Sequence, residues 1–349
     1  MLSIDFSDEA SYKICIVKTI ALDEHYDFEN IIFAVMNKIA LIIPYFGKFP
    51  EWMPLYLYSC SKQKNIDFLY FTDCELPKRI YSNTIFKKTT FEAYCDKVSA
   101  KLNIDFHPSA SYKLCDLKPF YGLIHEDDLQ YYDWWGFGDL DLIYGDLSIL
   151  INQKNLDRYD LLTTHIDKVA GHFTIVRKDS EYTSIPLQIP NWKDKLIVDK
   201  HVFLDETEYA ELVKPWKVKK MNRLDFHFLQ KYTNPNKKLW YYYWIDKMIP
   251  FGEGKSLMKE FFTTFKPQKE TSIIYNLETG KIDVPSHQTE KIIKGSARLY
   301  LHFLYFKKTK YWGENTNYWK SGFYQIPDNY DFSKGGIVEI TPNYIRLKQ

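Results

Sequence analysis

With 349 residues, 45% of them hydrophobic and 26% charged, the chain is long enough to bury a sizeable core and has the balance of an ordinary globular protein. A net charge of +1 supplies no global field to draw nucleic acid, and no stretch has the ~18–20 continuous apolar residues of a membrane span. The five cysteines are odd in number and lack any Cys-x-x-Cys spacing. They fit neither a disulfide framework nor a zinc site and point to a reducing, cytoplasmic compartment.

In chain order, residues 1–35 come first. They are acidic, weakly patterned and open on MLSIDFSDEA, without the basic start and apolar stretch of a secretory signal. They read as an extension outside the core, since MNKIALIIPYFGKFPEW from Met36 looks like a natural beginning. KIALIIPYF (38–46) is a continuous apolar run with β-branched content, as expected of a strand buried on both faces. FPEWMPLYLYSCSKQ (49–63) reads as a helix and NIDFLYFTD (65–73) as a second buried strand ending in a polar Thr-Asp pair. Two strands joined through a helix predict a βαβ unit and a parallel sheet. A short strand and a helix follow over 83–103. SYKLCDLKPFYGLIHEDDLQYYD (111–133) reads as a helix interrupted at Pro119, and WWGFGDLDLIYG (134–145) as the next strand with its C-terminal end.

Ligands of open α/β sheets collect at the carboxyl ends of the strands. Tyr45 with Gly47, Thr72 with Asp73, and Asp139 with Asp141 stand at such ends and are expected to converge on one crevice. Aspartates set among apolar residues need a partner. Carboxylates at i and i+2 are hard oxygen ligands suited to Mg²⁺ or Mn²⁺ held jointly with a substrate phosphate. An Asp-x-Asp triplet also arises by chance in so aspartate-rich a chain, and a solvated turn is the plain alternative. Asp146, after Gly145, reads as a turn or helix-cap residue.

The segments IALIIPYFGKFPEW, FLYFTD, YKLCDLKPFYG, DWWGFGDLDLIYGDL, GHFTIVRK and LYLHFLYFKK together resemble an A-type (Asp-x-Asp) glycosyltransferase. They are similar to enzymes of bacterial capsule and lipopolysaccharide biosynthesis. The resemblance implies an α/β fold with a Rossmann-like mixed, mostly parallel sheet flanked by helices. Residues 36–150 would bind the nucleotide sugar, 151–320 would form an aromatic-rich acceptor-side half of the same domain, and 321–349 would be a C-terminal tail. It implies transfer of a sugar from a nucleotide-diphosphate sugar to a glycan or lipid-linked glycan acceptor. Pro44, Tyr45, Phe46, Gly47, Asp73, Lys118, Asp139 and Lys308 would contact the nucleotide. Asp139, Asp141 and a distant His302 would hold the Mn²⁺ or Mg²⁺, with Lys307 and Lys310 as further diphosphate contacts.

A carboxylate must take the acceptor hydroxyl's proton in an inverting transfer. Asp205 and Glu206 in FLDETEYAE are candidates, against a capping box of Asp205 with Glu208. His172 is a further candidate, against a hydrogen-bonded core histidine, and Asp225 and His227 are lesser ones. KPWKVKK (214–220) and KKTKYW (307–312) mix lysine with tryptophan, a combination that suits peripheral contact with an anionic inner membrane face and equally a solvated surface. A sugar nucleotidyltransferase would share the metal carboxylates, but its glycine-rich phosphate loop is missing. A non-catalytic carbohydrate-binding module is the alternative of another class. If residues 1–35 lie outside the core, a chain beginning at Met36 should melt at the temperature of the full chain and keep its activity; loss of folding would contradict this.

Overall fold

The computed structural model describes residues 37–214, 255–264, 267, 269–283, 298–307 and 322–348. Readings that fall elsewhere lie outside the described residues: the 1–35 extension, Asp225, His227, Lys308, Lys310 and most of both lysine–tryptophan clusters.

Among the described residues the centre is a seven-stranded mixed sheet in the order β3-β2-β1-β4-β7-β6-β8. Its strands are β1 (Ile39–Pro44), β2 (Ile66–Thr72), β3 (Thr84–Lys88), β4 (Trp134–Gly138), β6 (Leu161–Thr163), β7 (Phe173–Arg177) and β8 (Ser256–Met258). β1, β2, β3 and β4 run parallel, β7 is antiparallel to both its neighbours, and β8 pairs parallel with β6. The sheet is therefore mixed and mostly parallel, whereas the alternating pattern alone predicts a parallel one.

The alternation of side chains along β1 explains its unbroken apolar sequence. Ile39, Leu41 and Ile43 enter a core on one face, with helix α1 (Met53–Ser61). Ala40 and Ile42 enter a second core on the other face, with α2 (Phe91–Leu102). α1 starts later than its sequence suggests, at Met53, with Pro54 in its first turn, where a missing N–H costs nothing. Thr90 caps α2 by accepting the Ala93 N–H, and Asn103 ends it in the left-handed region.

Three sequence expectations need correction. The 111–133 segment is 3₁₀ over Ser111–Phe120, with only Tyr121–Ile124 α-helical, because Pro119 supplies no N–H for a continuous α-helix. The run 134–145 is two strands: β4 ends at Gly138, and β5 (Leu142–Tyr144) leaves the main sheet to pair antiparallel with β11 (Tyr300–His302). Residues beyond 321 supply strands rather than a tail. β12 (Ile337–Ile340) and β13 (Ile345–Leu347) join β9 (Ile273–Asn276) and β10 (Ile282–Asp283) in a four-stranded sheet, and bury Val338, Ile340 and Ile345 in the first core. No helix among the described residues is long and apolar enough to cross a membrane.

The topology creates a crevice. The chain moves outward from β1 through β2 to β3, then returns to place β4 on the opposite side of β1. The carboxyl ends of β1 and β4 thus flank the point where strand order reverses, the usual ligand position in such sheets. The approach of β7 to β4 here requires Gly136. A Cβ there would meet the Thr174 carbonyl oxygen at 2.3 Å and the Ile175 and Leu41 side chains at 2.9 Å. This glycine serves the sheet rather than a ligand. Gly136→Ala should lower unfolding free energy by about 2–3 kcal/mol, a typical overpacking cost, measurable by urea denaturation; an unchanged midpoint would contradict the β4–β7 packing.

Candidate functional site

Asp139 and Asp141 lie in the turn between β4 and β5, where the chain leaves the main sheet. Trp52, just before α1, donates its indole N–H to the Leu140 carbonyl at 2.8 Å and so pins the middle of the triplet. The Asp139 N–H donates to the His172 carbonyl at 3.2 Å. The two carboxylates therefore diverge from simple strand alternation, and each meets its own set of partners.

Asp141 is buried. Lys307 Nζ lies 2.7 Å and His302 Nε2 3.3 Å from its Oδ2. β5–β11 pairing brings the histidine in: His302 stands opposite Leu142, and the Phe303 N–H donates to the Asp141 carbonyl at 3.1 Å. The short helix Leu304–Lys307 then turns Lys307 back toward the carboxylate, with its ammonium 5.4 Å from the Trp52 ring centroid. Burial alone would raise the Asp141 pKa; Lys307 and then His302 override it and hold the carboxyl well below its usual range.

Asp139 is about one-third exposed, and its Oδ1 accepts from Lys118 Nζ at 2.7 Å. Lys118 also donates to the Gly171 carbonyl at 2.7 Å. Burial opposes the charge on Lys118, but Asp139, Cys115 and Asp205 hold its pKa above the normal lysine value.

Asp139, Asp141 and His302 each offer a ligand atom, all within 4.8 Å of one another. Two carboxylate oxygens and an imidazole nitrogen are a donor set that fits Mn²⁺ or Mg²⁺. A residue that no motif indicates supports it. Thr264 Oγ1 lies 2.8 Å from His302 Nδ1, so the ring can present Nε2 to an ion while Nδ1–H is hydrogen-bonded. Thr264 is placed by its bridge to β11 and by the His302 N–H donating to the Thr263 carbonyl at 2.9 Å.

The polar strand ends do converge. The Gly47 N–H donates to Asp73 Oδ1 at 2.7 Å, tying the end of β1 to the end of β2, and Gly47 takes φ +100° to do so. The Tyr45 hydroxyl is pushed up to about 12 by burial, with Cys74 and Asp141 adding to the effect. Pro44 closes β1 and Phe46 is buried against Phe91 and Tyr94. Phe46 thus serves the second core, leaving Tyr45, Gly47 and Asp73 at the crevice.

Of the expected proton acceptors, Asp205 sits deepest. It is 4% exposed and lies against Gly171, where any Cβ would meet its Oδ2 at 2.3 Å. The capping box with Glu208 does not form: Asp205 Oδ1 accepts the neighbouring Glu206 N–H, while Glu208 is held by Lys195 at 2.8 Å. Glu206 is engaged by Lys168 at 2.6 Å. His172 is buried and stacked on His302, with ring centroids 4.1 Å apart. Burial, then His302 and His165, push its pKa well below the usual imidazole value, so it is neutral near pH 7. Asp146 behaves as a cap, accepting the Ser148 N–H at 3.1 Å.

An α/β fold with a carboxylate–imidazole centre at the strand-order switch is thus the class of protein the geometry defines. More narrowly, the chain belongs to a family of unknown function, DUF6625, whose model matches residues 41–333 and so spans the whole centre. No curated protein matches the chain.

Burial raises the Asp205 pKa to about 6, Lys118 opposing and Glu206 and Asp139 adding to the rise. A carboxyl raised above its unfolded value near 3.8 favours the folded state while protonated and loses that advantage as pH climbs toward 6. Relative to Asp205→Asn, the wild type should lose about 3 kcal/mol of unfolding free energy between roughly pH 4 and 6. A difference that does not change with pH would contradict the burial of this carboxyl.

Proposed function

We propose that the protein is a metal-dependent glycosyltransferase that moves a sugar from a nucleotide-diphosphate sugar to a hydroxyl of a surface-polysaccharide precursor. The observation that carries this reading is the convergence of Asp139, Asp141 and His302, from two distant segments, at the carboxyl edge where strand order reverses.

Charge balance favours a metal–diphosphate occupant. Lys118 and Lys307 already offset Asp139 and Asp141. A divalent ion entering this neutral group would bring uncompensated positive charge, which a diphosphate neutralises. Bound Mn²⁺ or Mg²⁺ would stabilise the charge that develops on the departing diphosphate. Lys118, beside the more exposed carboxylate, would hold a diphosphate oxygen as a point charge. Tyr45 and Gly47, with Asp73 behind them, line the adjoining strand ends and would contact the nucleoside. Asp205 is the best-placed proton acceptor: its raised pKa lies close to neutrality, where a general base is effective.

Nucleoside diphosphates should raise the melting temperature only with Mn²⁺ or Mg²⁺ present, by the equivalent of about 2.7 kcal/mol at a hundredfold excess over Kd. Asp141→Ala should abolish that shift. A shift that persists without metal, or in Asp141→Ala, would remove the basis for this function.

A further inference from the structure

Two residues before Asp205, Phe203 has φ +59°, a region bulky side chains rarely adopt. Its ring is 51% exposed, so core packing does not compensate for the strain. The fold imposes this conformation through Asp116. That carboxylate is fully buried and accepts the N–H groups on either side of Phe203, from Val202 at 3.0 Å and Leu204 at 3.3 Å. Lys113 Nζ lies 2.9 Å from it and also donates to the carbonyls of Lys195 and Lys200, at 2.8 Å each. His201 Nδ1 lies 2.9 Å from its Oδ1. Backbone strain held so firmly by its surroundings is a mark of functional positions.

The result is a row of rings beside the charged centre. Phe203 lies against His201 with centroids 4.1 Å apart and planes tilted by 56°, and His201, its side chain only 12% exposed, meets Tyr112 edge-on at 5.0 Å. Tyr112 is 62% exposed and stands on the same 3₁₀ segment as Asp116 and Lys118. Phe203 is two residues from Asp205, and Leu204 between them donates to Asp116, so this end of the row lies on the Asp205 side.

We propose that the exposed rings of Phe203 and Tyr112, braced by the largely buried His201 between them, are stacking surfaces for a pyranose ring of the acceptor glycan on the Asp205 side of the centre; this rests on the transferase reading above. A pyranose has an apolar C–H face that lies on an aromatic ring, while its hydroxyls project from the rim. The strained turn fixes the plane of the Phe203 ring before the sugar arrives.

The test is saturation-transfer NMR on the full chain with methyl glycosides of glucose, galactose and N-acetylglucosamine, run with Mg²⁺ and a nucleoside diphosphate. Ring C–H protons of at least one glycoside should receive saturation from the wild type. Phe203→Gly should weaken that contact by about tenfold, the effect of losing one stacking ring, and Phe203→Trp should retain it. Phe203→Gly should also melt no lower than wild type, because glycine takes this φ without strain. This stacking role is overturned if no glycoside is saturated, if Phe203→Gly keeps the contact, or if it melts several degrees lower. It is equally overturned if Phe203→Gly loses the nucleoside-diphosphate thermal shift, which would assign the rings to the base. Loss of co-sedimentation with anionic phosphatidylglycerol vesicles, without any glycoside contact, would assign them to a lipid surface. A wild type without a nucleoside-diphosphate shift contradicts the transferase reading alone, since glycoside contact is read independently.

Discussion

The constraint on which the centre depends is the burial of the Asp141 carboxylate. An isolated buried charge costs several kcal/mol, and a buried pair that loses one member costs about 3–5 kcal/mol. Much local architecture follows from meeting that cost. The chain breaks between β4 and β5 so that the carboxylate turns away from the main sheet. β5 then pairs with β11, which delivers His302, and the helix after it delivers Lys307. Trp52 fixes Leu140 between the two aspartates and lies beside the Lys307 ammonium. Segments far apart in sequence thus meet at one charge.

In the proposed transferase the same arrangement would set two groups of side chains apart. On one side, Asp139, Asp141 and His302 gather ligand atoms for an ion, with lysines of matching charge around them. On the other, Asp205 is buried against Gly171, and burial raises its pKa to about 6. Lys118 stands between these halves, pairing with Asp139 and opposing the rise of the Asp205 pKa. In the proposed transferase, donor and acceptor chemistry would be coupled through that one ammonium.

How much of this was legible in the sequence depended on the range of the interactions. β1, β2 and β4 could be read from their apolar runs because burial on both faces demands apolar side chains throughout. A short strand followed by a helix could be read over 83–103, whereas the Thr90 cap that starts α2 gave no signal of its own. The break between β4 and β5 could not be read, since apolar residues flank it on both sides. Nor could the strands beyond 321, which are only three or four residues long: β12 depends on pairing with the distant β9, and β13 on pairing with β12. The Asp-x-Asp triplet stood out, whereas its pairing with His302 came only from the resemblance. Lys307 was expected to face a diphosphate, but it neutralises Asp141 instead. Thr264 and Phe203 gave no signal, because their importance lies in a hydrogen bond and a backbone angle that only tertiary structure creates.

The central claim is that Asp139, Asp141 and His302 bind one divalent ion together with a diphosphate. Anomalous diffraction from crystals grown with Mn²⁺ and a nucleoside diphosphate tests it most directly. A single strong peak should lie within ligand distance of the three side chains and of the bound diphosphate. A peak elsewhere, or none while the nucleotide is bound and Lys307 still clamps Asp141, would contradict it.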